Sequence, residues 1–158
     1  TCHSAGLRNE YHRPKRRAGA AAGLGDLVTL TGEALKQEEI PDFMYRGDVY
    51  CLPCVWAEDN DVDGLPQMLM EAMACGLPAV STKLVGIPDL VIDAETGRLV
   101  PPGDAAALAE ALMRLEQDEA LAQGLAENGH AHVTNVFDID TCLEPLLARY
   151  RAALETRT

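Results

Sequence analysis

Residues 57–82 read AEDNDVDGLPQMLMEAMACGLPAVST. Three signals follow one another in that run. Asp59, Asp61 and Asp63 alternate along a polar loop that ends at Gly64. The stretch 66–76 is then made of helix formers, with Pro66 near the first helical position and Gly76 at the C-terminal end, the places each residue favours. LPAVST (77–82) is short and partly β-branched, a strand. Just upstream, DVYCLP (48–53) is another strand. Strand, loop, helix and strand in that order imply a parallel pair covered by a helix, and such sheets bind ligands at the C-terminal ends of their strands. Met68, Met70 and Met73 read as core packing on the helix.

The alternating acids resemble the start of a calcium loop, which places carboxylates at positions 1, 3 and 5 and a glycine at 6. Such a loop needs a bidentate glutamate at position 12, and counting from Asp59 that place is Met70. Glu71 comes one residue late, Pro66 occupies position 8, and no helix enters the loop. The calcium reading fails, which leaves a plain solvated acidic loop or a ligand site of another kind. A glycine-containing loop entering a helix presents unpaired N–H groups and the positive end of the dipole, a setting for a diphosphate. Asp63 before the turn and Glu71 within the helix are carboxylates that can accept hydrogen bonds from sugar hydroxyls.

Outward from this run the alternation continues. The N-terminal residues read as a helix over roughly 7–22, weakened by Pro14 and closed by Gly23 and Gly25. DLVTLTG (26–32) reads as a strand, and KQEEIPDFMYRG (36–47) as a short helix with Pro41 in its first turn. TGRLVPPGD (96–104) holds a short fourth strand. Three helices follow. The first has Asp104 as its N-cap and Leu108, Ala111, Leu112 and Leu115 on one face; the second spans about 118–135; the third, about 140–155, carries Leu143, Leu146, Leu147, Tyr150 and Leu154. The fold class is therefore α/β, a parallel sheet flanked by helices.

The 158 residues make about one domain, and 47% hydrophobic content suits a globular core. A net charge of −12 argues against nucleic acid as a partner. Arg8, Arg13, Lys15, Arg16 and Arg17 concentrate five of the thirteen basic residues near the N-terminus, which reads as the solvated face of the first helix rather than an anchor for an anionic surface. Five scattered cysteines show no disulfide framework and point to a reducing compartment. No apolar run approaches the ~18 residues of a membrane span, and the N-terminus lacks a signal-peptide core. The expectation is a cytoplasmic protein, compatible with work at the inner face of the cell membrane. Cys51 and Cys54 form a Cys-x-x-Cys, but a zinc site would need two further ligands and a redox motif would open a helix, whereas Cys51 reads as mid-strand. His130 and His132 fall on different faces of a helix and do not form a metal pair.

DGLPQMLMEAMACGLPAVST, followed by GIPDLV and ETGRLVPPGD, resembles the retaining glycosyltransferases of family 4, also called group 1, which have the GT-B fold. Their signature is two glutamates separated by seven residues, within a pattern like EG(F/L)(G/P)xxxxEAMAxGxP. The likeness runs over about residues 24–150, with DLVTLTG and MYRGDVYCLPC included, and its flavour is that of the colanic-acid-type exopolysaccharide enzymes. The resemblance implies a Rossmann-like donor domain, the C-terminal half of a GT-B fold. It implies that Asp63 contacts the donor sugar, that the backbone of Gly64, Leu65 and Pro66 approaches the sugar and diphosphate, that Glu71 takes the ribose hydroxyls, and that Gly32 lies against the nucleobase. No metal or other cofactor is implied; the substrate is a nucleoside diphosphate sugar.

Three departures qualify that pattern. Asp63 stands where the family has glutamate, a reach shorter by about 1.5 Å, one C–C bond. Cys54 stands where the family usually has serine. The family's acceptor-binding N-terminal domain, and the opening strand-helix-strand of the donor domain with its diphosphate-neutralising Arg and Lys, have no counterpart here. The sequence thus predicts a single, truncated donor-binding domain over 1–158: an N-terminal helix over 1–22, the sheet and donor site over 23–103, and C-terminal helices over 104–158. Its parent enzyme would pass a sugar, with retention, to a glycan or lipid-linked acceptor, and this chain alone would be inactive. The alternative is a non-catalytic nucleotide-sugar-binding or interaction module, or an inert remnant.

Overall fold

A computed structural model describes residues 23, 24, 27–29, 35–57, 62 and 64–155. The chain divides into two compact units, Thr1–Ile40 and Pro41–Thr158. In the first, the N–H groups of Leu27 and Val28 both reach the Leu24 carbonyl, at 3.0 and 3.1 Å. Over 27–29 this is a turn and its exit, not the strand expected over 26–32: the backbone bonds locally, and Leu27 stays 81% exposed. The remainder of that expected strand, Gly32 included, and the expected helix over 7–22 lie outside the described residues. A 3₁₀ turn, Gln37–Glu39, follows, held where the Lys36 N–H donates to the Glu39 carboxylate at 2.8 Å.

From Ile40, the last residue of the first unit, onward the elements are α1 (Ile40–Met44), β1 (Tyr50–Leu52), α2 (Gln67–Ala74), β2 (Ala79–Thr82), α3 (Ile87–Leu90), β3 (Arg98–Val100), α4 (Ala105–Gln117), α5 (Glu119–Val136) and α6 (Ile139–Glu155). Pro41 lies in the first turn of α1, as its missing N–H allows. Among the described residues the sheet has three strands, all parallel, in the order β1-β2-β3. Cys51 lies opposite Val80, and Ser81 opposite Leu99.

Side chains alternate across this sheet, and helices cover both faces. Tyr50, Leu52 and Ala79 point into a cluster with Leu69 and Met73 of α2, Ile87 and Leu90 of α3, and Val133 of α5. Cys51, Val80 and Val100 point the other way, into a cluster with Ala111 and Leu115 of α4 and Leu125 of α5. One long helix, α5, therefore contributes to both layers and ties them together. The central strand β2 is buried throughout.

α2 positions the site, so its ends matter. Pro66 occupies the N-cap place rather than the first helical one, with φ −65° and ψ 114°. At the other end Gly76 adopts φ +78°, a left-handed conformation that glycine enters without a Cβ penalty. The Gly76 N–H donates to the Met73 carbonyl at 3.0 Å and the Leu77 N–H to the Ala72 carbonyl at 3.1 Å, the paired bonds of a Schellman cap. Leu69, Ala72 and Met73 face the core. Met68 does not: it is 37% exposed, because its helical phase turns it away from that stripe, while Met70 is half-buried. The expectation of core packing therefore holds for Met73, in part for Met70, and fails for Met68.

Candidate functional site

The loop between β1 and α2 leaves the C-terminal edge of the sheet, and side chains of β2 fix its first residues. Ser81 Oγ donates to the Leu52 carbonyl and Thr82 Oγ1 to the Cys54 carbonyl, each at 2.7 Å. Both hydroxyls are buried, so leaving those carbonyls unpaired would carry a desolvation cost. Two residues that read as strand formers thus extend the hold of β2 beyond the ladder. Asp59, Asp61 and Asp63 lie outside the described residues.

At the end of the loop, Gly64 and Leu65 are exposed and Pro66 is buried. Leu69 and Met70 donate their N–H groups back to the Pro66 carbonyl, at 3.1 and 3.3 Å. Among the described residues nothing accepts from the N–H groups of Leu65, Gln67 and Met68. Those of Gln67 and Met68 are the orphan donors of a helix start, and the Leu65 N–H lies just before them, at the positive end of the dipole. The Gly64 carbonyl is turned inward and accepts from the Gly86 N–H at 3.0 Å.

Glu71 sits one turn into α2, half-buried, and its Oε2 has no solvent contact and no hydrogen-bond partner among the described residues. A buried carboxylate oxygen without a donor is costly, and a ligand hydroxyl would relieve it. Tyr50, on the neighbouring strand, shares this environment. Burial pushes its phenol above the ordinary value, with further upward pressure from Cys54, Glu71 and Cys51. The phenol thus remains a neutral proton donor at physiological pH. Tyr50 carried no signal in the sequence, where it read only as a strand residue.

The structure brings Gly64, Leu65, Pro66 and Glu71 together on one loop–helix junction at the C-terminal edge. Gly32 and Asp63 lie outside the described residues. Arg98 begins β3 and so lies at the opposite edge, 3.5 Å from the Asp93 carboxylate. A roomier cleft, about 640 Å³, is also at that opposite edge, between Asp48, Pro78, Glu116 and Glu119. A smaller recess of about 150 Å³ lies where all three strands end, lined by Pro53, Thr82, Val100 and Asp104. The position at strand ends carries more weight than volume, because the backbone donors and the orphan carboxylate are there.

The decoys resolve into structural roles. His130 Nδ1 pairs with the Ala74 carbonyl at the end of α2, 2.8 Å away, and His132 Nε2 with the Asp89 carbonyl of α3 at 3.2 Å. Both histidines tie α5 to the helices that flank the site. Burial pushes the Cys51 thiol above its usual range, which disfavours the thiolate that redox or metal chemistry would use.

A parallel sheet with helices on both faces makes an α/β domain, here of the GT-B kind. The chain belongs to the glycosyl transferases group 1, whose family model matches residues 2–118. It is 47% identical over 105 residues to the amylovoran biosynthesis glycosyltransferase AmsK of Erwinia amylovora, covering 66% of this chain and 26% of that protein. It is 44% identical over 94 residues to WcaL of Escherichia coli, described as a putative colanic acid biosynthesis glycosyltransferase, covering 60% of this chain and 23% of that protein. Among solved structures, the sucrose-phosphate synthase of Thermosynechococcus elongatus matches with a TM-score of 0.80 and 30% identity, over 93% of this chain and 35% of that one. The chain therefore spans about a quarter of the length of these two curated relatives. The colanic-acid flavour read from the motif agrees with these likenesses. Among the described residues no helix is long and apolar enough to cross a membrane.

Proposed function

We propose that this chain is the donor-binding part of a retaining glycosyltransferase and that it holds a nucleoside diphosphate sugar at the start of α2. The observation that carries the proposal is the buried Glu71 Oε2, without a partner among the described residues, on the same helix whose first N–H groups find no acceptor among them. Glu71 accepts hydrogen bonds from the ribose. The Leu65, Gln67 and Met68 amides face the diphosphate, with Gly64 and Pro66 shaping the approach. Asp63 orients the sugar and Gly32 lies against the base, both as the family resemblance implies. In transfer, the bond from the anomeric carbon to the diphosphate oxygen breaks and its electron pair leaves with the diphosphate. The acceptor hydroxyl bonds to the same face of the sugar and passes its proton to the departing diphosphate oxygen. Backbone donors aimed at the departing oxygen stabilise the charge that develops there.

The acceptor is a glycan or lipid-linked glycan held by a further domain, and no metal or other cofactor takes part in this scheme. With about a quarter of the curated relatives' length present, residues 1–158 bind the donor without turning it over, at affinities around the millimolar end of the usual range. The enzyme as a whole works in the cytoplasm, at the inner face of the cell membrane. Calorimetric titration with the diphosphates of uridine, guanosine and adenosine, and with their sugars, tests the proposal. Binding of at least one, lost in Glu71→Ala, is expected; binding that survives this substitution, or none at all, would reject it.

A further inference from the structure

We infer that Gly86 is a positioning residue for the donor loop, setting the direction of the Leu65 N–H; this rests on the donor reading above. Gly64 C=O and Leu65 N–H belong to one planar trans peptide unit, so they point in opposite directions. The Gly86 N–H holds the Gly64 oxygen at 3.0 Å. That bond turns the electronegative end of the unit into the protein and, by planarity, the N–H end away from Gly86. A diphosphate approaching the loop therefore meets a donor and not a carbonyl.

Only glycine permits this approach. A Cβ on residue 86 would lie 2.6 Å from the Gly64 oxygen and 3.6 Å from its carbon, both backbone atoms that cannot swing aside as a flexible side chain would. The preceding residue reinforces the point. Val85 adopts φ +44°, in the left-handed region that β-branched residues avoid, yet it is 54% exposed, so the strain is not offset by burying its side chain. The turn is anchored on both sides by the buried Leu84 and Ile87, whose backbone groups are bonded to each other at 3.0 Å. A strained residue between two anchors, delivering one N–H to one carbonyl, makes the β2–α3 turn the fixed wall against which the loop is set.

The test uses the full chain with Gly86→Ala, and with Gly86→Ala combined with Gly124→Ala. Gly124 lies within α5, with nothing within 4 Å of where its Cβ would be, so alanine there raises stability without touching the loop. Without any ligand, amide spectra of Gly86→Ala are expected to show the Gly64 and Leu65 resonances displaced while those of α4 stay in place. Unmoved resonances overturn the inference. Calorimetry with uridine, guanosine and adenosine diphosphates is then expected to show affinity lowered about tenfold or more in both variants, although the double variant melts at or near the wild-type temperature. Affinity that returns together with melting temperature would make Gly86 merely structural and overturn the inference. A wild-type chain that binds none of the three defeats the donor reading, and the amide shifts then decide the positioning claim alone.

Discussion

Glu71 and Val85 each hold a local cost that the fold itself does not require. The Glu71 Oε2 is desolvated with no donor among the described residues. Glu71→Met, close in shape and without either oxygen, should therefore leave stability unchanged or raise it, up to the roughly 1–3 kcal/mol that an unsatisfied buried group costs, while it weakens diphosphate binding. Denaturant unfolding beside a nucleotide titration checks both halves. Val85→Gly should stabilise by about 1 kcal/mol, the relief of left-handed strain less the entropy that glycine adds to the unfolded chain, read as a higher unfolding midpoint at unchanged slope. Tyr50 supplies a pH dependence. Its folded value is raised above 10.0, so its contribution is fully present below that pH and is lost as pH rises through the raised value. Tyr50→Phe should flatten the alkaline fall in stability, compared by denaturant unfolding at about pH 8 and about pH 11. Of these three residues only Glu71 was legible in the sequence. A left-handed valine and a phenol beside a carboxylate arise from contacts between distant segments, which no local pattern encodes.

At the scale of elements, the sequence was most readable where punctuation and period agreed. α2 lies between Pro66 and Gly76 as expected, and Asp104 caps α4 by accepting from the Ala107 N–H at 2.9 Å. Asp104→Ala should cost about 1 kcal/mol, with thermal melting as the measure. Asp118 does the same for α5, accepting from Leu121 at 3.0 Å, and also ends α4, so one residue sets the bend between the two helices. α3 was not foreseen as a helix, because four residues are too few to show a period. The expected strand over 26–32 failed in its described part for the converse reason: a β-branched run favours extension, but a turn closed on Leu24 takes its amides first. The histidines of α5 were read correctly as facing apart, yet their partners, two helix carbonyls, could be found only in three dimensions.

For the whole molecule, the alternation of strands with helices along the chain was enough to imply a parallel sheet covered by helices, and the structure has it. The candidate site was half legible. A motif of loop, glycine and helix marked the residues, while the inward turn of the Gly64 carbonyl and its glycine partner, far along the chain, left no trace in sequence. α6 shows a further limit of pattern reading. Leu143, Leu146, Leu147, Tyr150 and Leu154 follow helical spacing, which ordinarily marks a core face, yet no residue of α6 is buried. The central claim is that this domain binds a nucleoside diphosphate at the start of α2, at the C-terminal edge of the sheet. Amide chemical-shift mapping of the ¹⁵N-labelled chain during titration with uridine and guanosine diphosphates tests it most directly. The account expects the largest shifts at Gly64, Leu65, Gln67, Met68 and Glu71; shifts centred instead on Asp48, Glu116 and Glu119 at the opposite edge, or none, would contradict it.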